Sequence, residues 1–365
     1  MGRLRLAVIG VGHLGKEHAR ILSEMSGVEL VGVADLNSEQ AQSVAQRLGC
    51  RAYVNFRPLL HLADAAVVAV PTIHHHAIAR EFLQCGMPLL VEKPLAATLE
   101  QAEDLVALAA RHGTLLQVGH IERFNPALEQ LQELSFQPKF VECERLGAFT
   151  GRSFDVGVVL DLMIHDLDIL LALVRTPVRS VEALGIAVFG GQEDVANARL
   201  TFEDGCIANV NASRASYVVR RQMQIWSPEG FVGLDFVNRR LALIQPSTDL
   251  RCNGLNPDRL DPTARAMLKD ELFGRHLQIL ERDCHMGGPD QLTRELRHFV
   301  DCVKKGNRPR VTGEEGRDAV ALAMRVLDSI RSHRWEGSVG EAMGPSQLPE
   351  PHGVFFQPAV PNIAA

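Results

Sequence analysis

Gly10-Val11-Gly12-His13-Leu14-Gly15 constrains this chain more than any other feature. It lies between an apolar run, Leu4–Ile9, and an amphipathic stretch, Leu14–Met25. A strand that turns at once into a helix needs glycine at the tight bend, glycine where backbone amides approach a pyrophosphate, and glycine where helix and strand touch. Gly10, Gly12 and Gly15 stand at those three places. A second strand-like run, Glu29–Ala34, ends in Asp35, about where a carboxylate can accept both hydroxyls of an adenosine ribose. The amino end of the helix then attracts the phosphates. These features predict a dinucleotide site, with NAD favoured over NADP because Asp35 repels a 2′-phosphate. Asn37 and Ser38, small and polar, are the features that tolerate one.

The same alternation continues. Ala65–Val70, Leu89–Val91 and Thr114–Val118 are Val-, Leu- and Ala-rich without polar alternation, as in parallel strands covered on both faces. Helical patterns occupy Ser38–Leu48, His75–Cys85 and Leu99–His112, and Gly27, Gly49, Gly86 and Gly113 follow the four helices as left-handed stops. Thr98 and Gln101 have capping-box spacing. Residues 1–124 therefore read as an α/β Rossmann domain with a doubly wound, mostly parallel sheet. After Asn125 the period changes. Phe140–Thr150, Val181–Phe189, Ala196–Asn211, Tyr217–Trp226 and Phe231–Ile244 read as alternating strands, with turns at Glu203-Asp204-Gly205 and Pro228-Glu229-Gly230 and one helix at Leu160–Val174. Residues 125–338 form an α+β domain with an open, largely antiparallel sheet. Within it, 246–291 shows no readable order, and two closing helices, Asp290–Lys305 and Glu314–Ser332, are able to pack back on the first domain. Thr312 and Glu315 have capping-box spacing. Residues 339–365 read as a Pro-rich tail, disordered or docked on a partner.

Bulk properties exclude several classes. A net charge of -6 argues against nucleic acid as a partner. The seven cysteines are scattered and include no C-x-x-C pair, which points to reduced thiols in the cytoplasm, with neither a disulfide frame nor a zinc site. No apolar run approaches a membrane span.

Two segments carry candidate chemistry. Glu92-Lys93-Pro94 lies just past a strand end, where ligands of open α/β sheets bind. Asp161, His165 and Asp168 have i, i+4, i+7 spacing on a predicted helix, among Val158, Val159, Leu160, Leu162, Met163, Ile164 and Leu167. Oxidation of a carbinol requires loss of the hydroxyl proton, and a histidine oriented by a carboxylate suits that task. The trio is equally compatible with a structural hydrogen-bond network, and less so with a metal pair, since no third ligand is near.

With those residues in hand, the chain resembles the Gfo/Idh/MocA family over residues 4 to 332. The likeness rests on the ordered motifs: the Gly-rich turn, Pro71-Thr72 with His75, Glu92-Lys93-Pro94, Gly119-His120-Ile121-Glu122-Arg123-Phe124-Asn125-Pro126, and Asp161-x-x-x-His165. The resemblance implies that Lys93, Asp161 and His165 are the catalytic set. It also implies that Gly10, Gly12, His13, Leu14, Gly15, Asp35, Pro71, Thr72, His75, Glu92, Lys93 and Gln117 hold NAD. The runs Gly119–Pro126 and Val159–Asp166 are similar to the branch that oxidises the 3-hydroxyl of UDP-N-acetylglucosamine, in some bacteria supplying lipid A precursors. Arg123, Asn125, Arg145, Arg152 and Asp168 are then candidate substrate contacts, the arginines for a pyrophosphate. A homodimer or homotetramer through the C-terminal sheet is also implied. Two alternatives remain: a same-family dehydrogenase of a free sugar, inositol or dihydrodiol, and a redox-inactive NAD-binding regulator.

Overall fold

Strand β1 (Leu4–Ile9) is paired on both sides in a six-stranded parallel sheet. The chain continues through α1 (Gly15–Glu24), β2 (Val28–Ala34), α2 (Ser38–Leu48), β3 (Arg51–Tyr53), the single turn α3 (Leu59–Leu62) and β4 (Ala65–Val68). It then runs through α4 (His75–Gln84), β5 (Leu89–Glu92), α5 (Leu99–His112) and β6 (Leu116–Gly119). The strand order β3-β2-β1-β4-β5-β6 shows that the chain starts mid-sheet, winds to one edge, and returns past β1 to the other. The switch between β1 and β4 opens a crevice at the carboxyl ends of the strands. Leu6, Val8, Val67, Val68, Leu90 and Val91 are fully buried, which explains why these strands carry no polar alternation. Gly49 and Gly113 end α2 and α5 in the left-handed conformation, at φ 70° and 60°. The structure is a computed structural model and describes residues 2–333 except 135, 150, 152–154, 190–191, 256–260 and 285–286. Arg152 and the tail from 339 lie outside the described residues.

After α6 (Pro126–Gln132) the second sheet begins with β7 (Phe140–Ala148), followed by α7 (Ile164–Val174) and β8 (Val178–Ile186). Next come β9 (Val195–Phe202), β10 (Ile207–Ser213), β11 (Ala215–Ser227), β12 (Gly230–Asp235) and β13 (Arg240–Pro246). The short α8 (Thr248–Asn253), α9 (Pro262–Glu271), β14 (Leu277–Asp283), α10 (Gln291–Lys305) and α11 (Gly313–Ser332) complete the chain. The order is β14-β13-β12-β11-β7-β10-β9-β8. Every neighbouring pair is antiparallel except β7 and β10, which run parallel. The inner face alternates strictly: Val141, Cys143 and Arg145 on β7, Ala208, Val210 and Ala212 on β10, Met223 and Ile225 on β11 are buried.

Three sequence expectations change here. The run Ala196–Asn211 is two strands joined at Gly205 (φ 85°), and Phe231–Ile244 is two strands joined near Arg239 (φ 50°). The unordered segment 246–291 supplies the edge strand β14, most of whose side chains face solvent, so it has no alternation to read. Helices α10 and α11 return to the first sheet. Leu296, Phe299 and Val300 of α10 join the core around Leu6, Val8, Leu22 and Leu90. A Cβ on Gly316 of α11 would overlap Val118 of β6, so that glycine permits the contact. The capping box at the start of α11 is formed in both directions: the Thr312 hydroxyl accepts from the Glu315 amide at 3.2 Å, and the Glu315 carboxylate accepts from the Thr312 amide at 2.9 Å.

Candidate active site

The glycine turn at the end of β1 is shaped by close backbone contacts. Gly10 has φ 82°, and a Cβ there would lie 2.6 Å from the Ala69 carbonyl. A Cβ on Gly15 would overlap the Gly10 carbonyl, so α1 starts hard against the turn. Around Gly12, by contrast, no heavy atom lies within 4 Å of a would-be Cβ. That is the open approach a pyrophosphate requires, and α1 begins without a side-chain cap on its amides. Asp35 stands just past β2. One carboxylate oxygen accepts the Val11 amide at 2.9 Å and the other accepts the Asn37 amide at 2.9 Å, which holds the carboxylate beside the turn. Asn37 itself caps α2 by accepting from Gln40, so it is committed to the helix start. His13 and Leu14 lie exposed on the turn. The residues present thus fit a dinucleotide.

The loops after β4 and β5 close the far side of the crevice. Pro71 precedes a short helical turn whose Thr72 is buried. His75 is also buried, with Nδ1 2.8 Å from the Pro94 carbonyl and Nε2 2.9 Å from the Val70 carbonyl. Burial depresses its pKa, so the neutral ring donates to one carbonyl at a time and ties the two loops together. It meets backbone and not the open crevice. Glu92, at the end of β5, lies 2.6 Å through Oε1 from His18 Nε2 of α1. Burial pushes this carboxyl up, but His18, Lys93 and His75 together outweigh it and the pKa is lowered overall. Gly119 permits this placement: a Cβ there would sit 2.9 Å from Glu92 Oε2. Gln117 on β6 is wholly enclosed with neither amide atom partnered.

Lys93 follows through a cis peptide to Pro94. Its Nζ donates to the Asp161 carbonyl at 2.6 Å and pairs with the Asp161 carboxylate at 3.0 Å. Asp161 is not on the α-helix that spacing predicted. It sits in a wider π-type turn, Val159–Met163, which leads into α7 and the first residues of which are held by Glu193. His165, one turn on, is 8% exposed, and its Nδ1 is enclosed without a hydrogen bond. Burial first, then Lys93 and Arg145, push the His165 pKa well below the usual value, so the ring is neutral near pH 7 and able to accept a proton. The fold therefore joins Lys93, Asp161 and His165, from segments 68 residues and more apart.

The remaining sequence candidates are placed elsewhere, as corrections. Asp168 turns away from the crevice to Arg123, 3.2 Å distant, and Arg123 also pairs with Glu315 at 2.9 Å. Burial pushes the Asp168 carboxyl up to about 7. Arg145 is 2% exposed and lies between Asp166, 2.7 Å away, and Glu122, 2.9 Å away. Asn125 bridges Glu122 and the Phe236 carbonyl and caps α6. These four residues brace the floor beneath α7. They are enclosed by their own partners and present no open surface to a pyrophosphate. The sequence reading missed Arg221. It sits opposite Arg145 across β7 and β11, half exposed, 4.0 Å from Glu122, and its charge is felt at His165. Alternation on β11 with Met223 and Ile225 was the available signal, since it puts residue 221 on the inner face.

Comparison with known proteins gives a consistent picture. Residues 4–120 match the model of an oxidoreductase family with an NAD-binding Rossmann fold, and residues 137–232 match the GFO/IDH/MocA C-terminal domain. UDP-N-acetylglucosamine 3-dehydrogenase of Acidithiobacillus ferrooxidans is 39% identical over 335 residues, covering 91% of this chain and 99% of that one. A solved structure of that dehydrogenase, GnnA, superposes with TM-score 0.78, covering 90% of this chain and 98% of its own. The scyllo-inositol 2-dehydrogenase (NAD(+)) of Bacillus subtilis is 25% identical over 358 residues, covering 90% of this chain and 95% of that one.

Proposed function

The chain belongs to the Gfo/Idh/MocA oxidoreductase family as an NAD-dependent sugar dehydrogenase, and from that premise we propose that its substrate is a UDP-N-acetylglucosamine-type nucleotide sugar, oxidised at the 3-hydroxyl. The observation that carries the chemistry is the Lys93–Asp161 contact beside neutral His165 at the carboxyl end of β5. The substrate is supported by the identity that spans nearly the whole length of the Acidithiobacillus enzyme. His165 takes the hydroxyl proton. Lys93, fixed by Asp161, stabilises the negative charge that develops on the oxygen as the proton leaves. When bound, NAD supplies the acceptor for the carbon-bound hydride. The turn Gly10–Gly15 and Asp35 would hold its adenosine and pyrophosphate, and Thr72, Glu92 and Lys93 would face its other half. With Arg123 and Arg145 enclosed, Arg221 is, among the described residues, the cation best placed to contact the substrate's pyrophosphate. The ketone product suits amination by an aminotransferase, as in the synthesis of lipid A or a cell-surface sugar.

Purified protein with NAD and a carbonyl trap is expected to form NADH with UDP-N-acetylglucosamine and not with myo-inositol or glucose. NADH only with the free polyols would overturn the substrate and leave the catalytic assignment standing.

Assembly and place are part of the same reading. The edge strand β14 exposes Ile279 and Leu280, one on each face, which supports a dimer or tetramer formed through the C-terminal sheet. Light scattering at micromolar concentration is expected to give two or four copies, and a monomer would refute it. The seven cysteines are all unpaired, which supports a cytoplasmic enzyme. No helix among the described residues is long and apolar enough to cross a membrane.

A further inference from the structure

A histidine that acts as base through Nε2 must carry its own proton on Nδ1, and something must accept that proton's hydrogen bond. A carboxylate commonly does so. Here the carboxylates near His165 are committed elsewhere: Asp161 to Lys93, Asp166 to Arg145, Asp168 to Arg123. His165 Nδ1 is buried with no partner. The side chain beside it is another imidazole. His120, at the end of β6, has its ring centroid 6.1 Å from that of His165, with the planes at 89°. His120 is fully buried, and neither of its ring nitrogens has a hydrogen-bond partner. Three orphaned imidazole nitrogens thus lie in one enclosed space, an arrangement that costs free energy unless it is used.

We propose that His120 is a positioning residue that accepts the Nδ1 proton of His165, fixing the tautomer in which Nε2 faces the substrate hydroxyl. The proposal rests on His165 being the base. The two rings stand edge to face, and catalytic hydrogen bonds that are long in an unloaded site tighten in the loaded one. The main chain of His120 is held for this: its amide donates to the Val118 carbonyl at 2.9 Å and its carbonyl accepts from Arg123 at 3.0 Å. Its own charge state is suited to accepting. Burial, then Arg123 and Lys93, hold its pKa down to about 3 against the opposing pull of Glu92 and Glu315, so a ring lone pair is free throughout the working range.

A neutral acceptor has a consequence that a carboxylate does not. It orients His165 without raising its pKa, which burial and the cations Lys93, Arg145 and Arg221 already depress. The acid limb of kcat/KM, where His165 becomes protonated, therefore lies below the ordinary histidine range.

The test uses the full chain with three variants. His120→Gln keeps an acceptor oxygen; His120→Phe fills the space without one; His120→Asp introduces a negative one. In selectively 15N-histidine-labelled protein saturated with NAD, His165 is expected to show the Nδ1–H tautomer in the wild type and in His120→Gln, and to lose it in His120→Phe. Turnover is expected to fall by about 10–100-fold in His120→Phe, less than the ~10⁴-fold seen where an anionic orienter is lost, and to recover in His120→Gln. In His120→Asp the acid limb is expected to move up by about one pH unit, because a nearby carboxylate favours the imidazolium. An unchanged His165 tautomer and pH profile in both His120→Phe and His120→Asp would overturn the positioning role. Full activity in His165→Asn would instead overturn the base on which it rests.

Discussion

Lys93→Ala is expected to lower kcat by about 10²–10³-fold, the usual loss when one preorganised donor to a developing oxyanion is removed, while the Kd for NAD changes by only a few fold. The size follows from how firmly the ammonium is placed. Its two contacts are both to Asp161, at 2.6 and 3.0 Å, and the side chain is 15% exposed, so the charge acts in a poorly hydrated crevice where it is not already oriented by water. NAD binding is spared because its phosphates and ribose depend on a different part of the crevice, the Gly10–Gly15 turn and Asp35. Lys93→Arg is expected to fare nearly as badly as alanine, since a planar guanidinium cannot occupy the same position against the Asp161 carbonyl. Steady-state kinetics and a binding titration on the same preparation separate the two effects. A kcat within a few fold of wild type would remove Lys93 from the chemistry.

The second large effect is on stability. Arg145→Met is expected to cost about 3–5 kcal/mol, the loss typical of breaking a buried ion pair from one side. The guanidinium bonds both oxygens of Asp166 at 2.9 and 2.7 Å and Glu122 at 2.9 Å, and all three side chains are almost wholly enclosed. Burial disfavours the charge on Arg145, but Asp166 and Glu122 outweigh it and raise its pKa above the ordinary value. Without the arginine, two buried carboxylates share, among the described residues, only the half-exposed Arg221, 4.0 Å from Glu122, as a counter-charge. The pH dependence gives the sign. Burial already raises the Asp166 pKa above its unfolded value with Arg145 in place, and removing the cation raises it further. A group with a raised acid pKa stabilises the fold below its unfolded pKa and loses that contribution as pH rises through the folded one. The deficit of Arg145→Met is therefore expected to be largest at neutral pH and to shrink as pH falls. Adding Glu122→Gln and Asp166→Asn should recover part of it at pH 7. Urea denaturation of the variants between acid and neutral pH measures this. A flat deficit, or none, would mean that Arg145 is not the counter-charge the geometry makes it.

Much of this protein is local, and the local part was readable from its sequence. The Gly10–Gly15 turn, Asp35 after β2, the unbroken apolar strands of the first sheet and the left-handed glycines at 49 and 113 all depend on neighbours a few residues away. Period and composition determine such features before any distant contact forms. The capping box of Thr312 and Glu315 is of the same kind. Elements without a one-sided environment were not readable. β3 has three partly exposed residues, and β14 exposes most of its side chains, so neither carries a pattern.

Partners were decided only by tertiary structure. Spacing placed Asp161, His165 and Asp168 on one helical face, yet the π-type turn rotates Asp161 to Lys93, while Arg123 from another strand end draws Asp168 below the crevice. Arg123 and Arg145, which looked available for a phosphate, were already matched by Glu122, Asp166, Asp168 and Glu315, from three different segments. His120 stood in a quoted motif, but its contact with His165 exists only once β6 and α7 are packed together. A charge or a ring nitrogen carries no local mark of what it will meet. Its partner is chosen by which distant segments the two sheets bring within a few ångströms, in a medium too poor in water to leave either group alone.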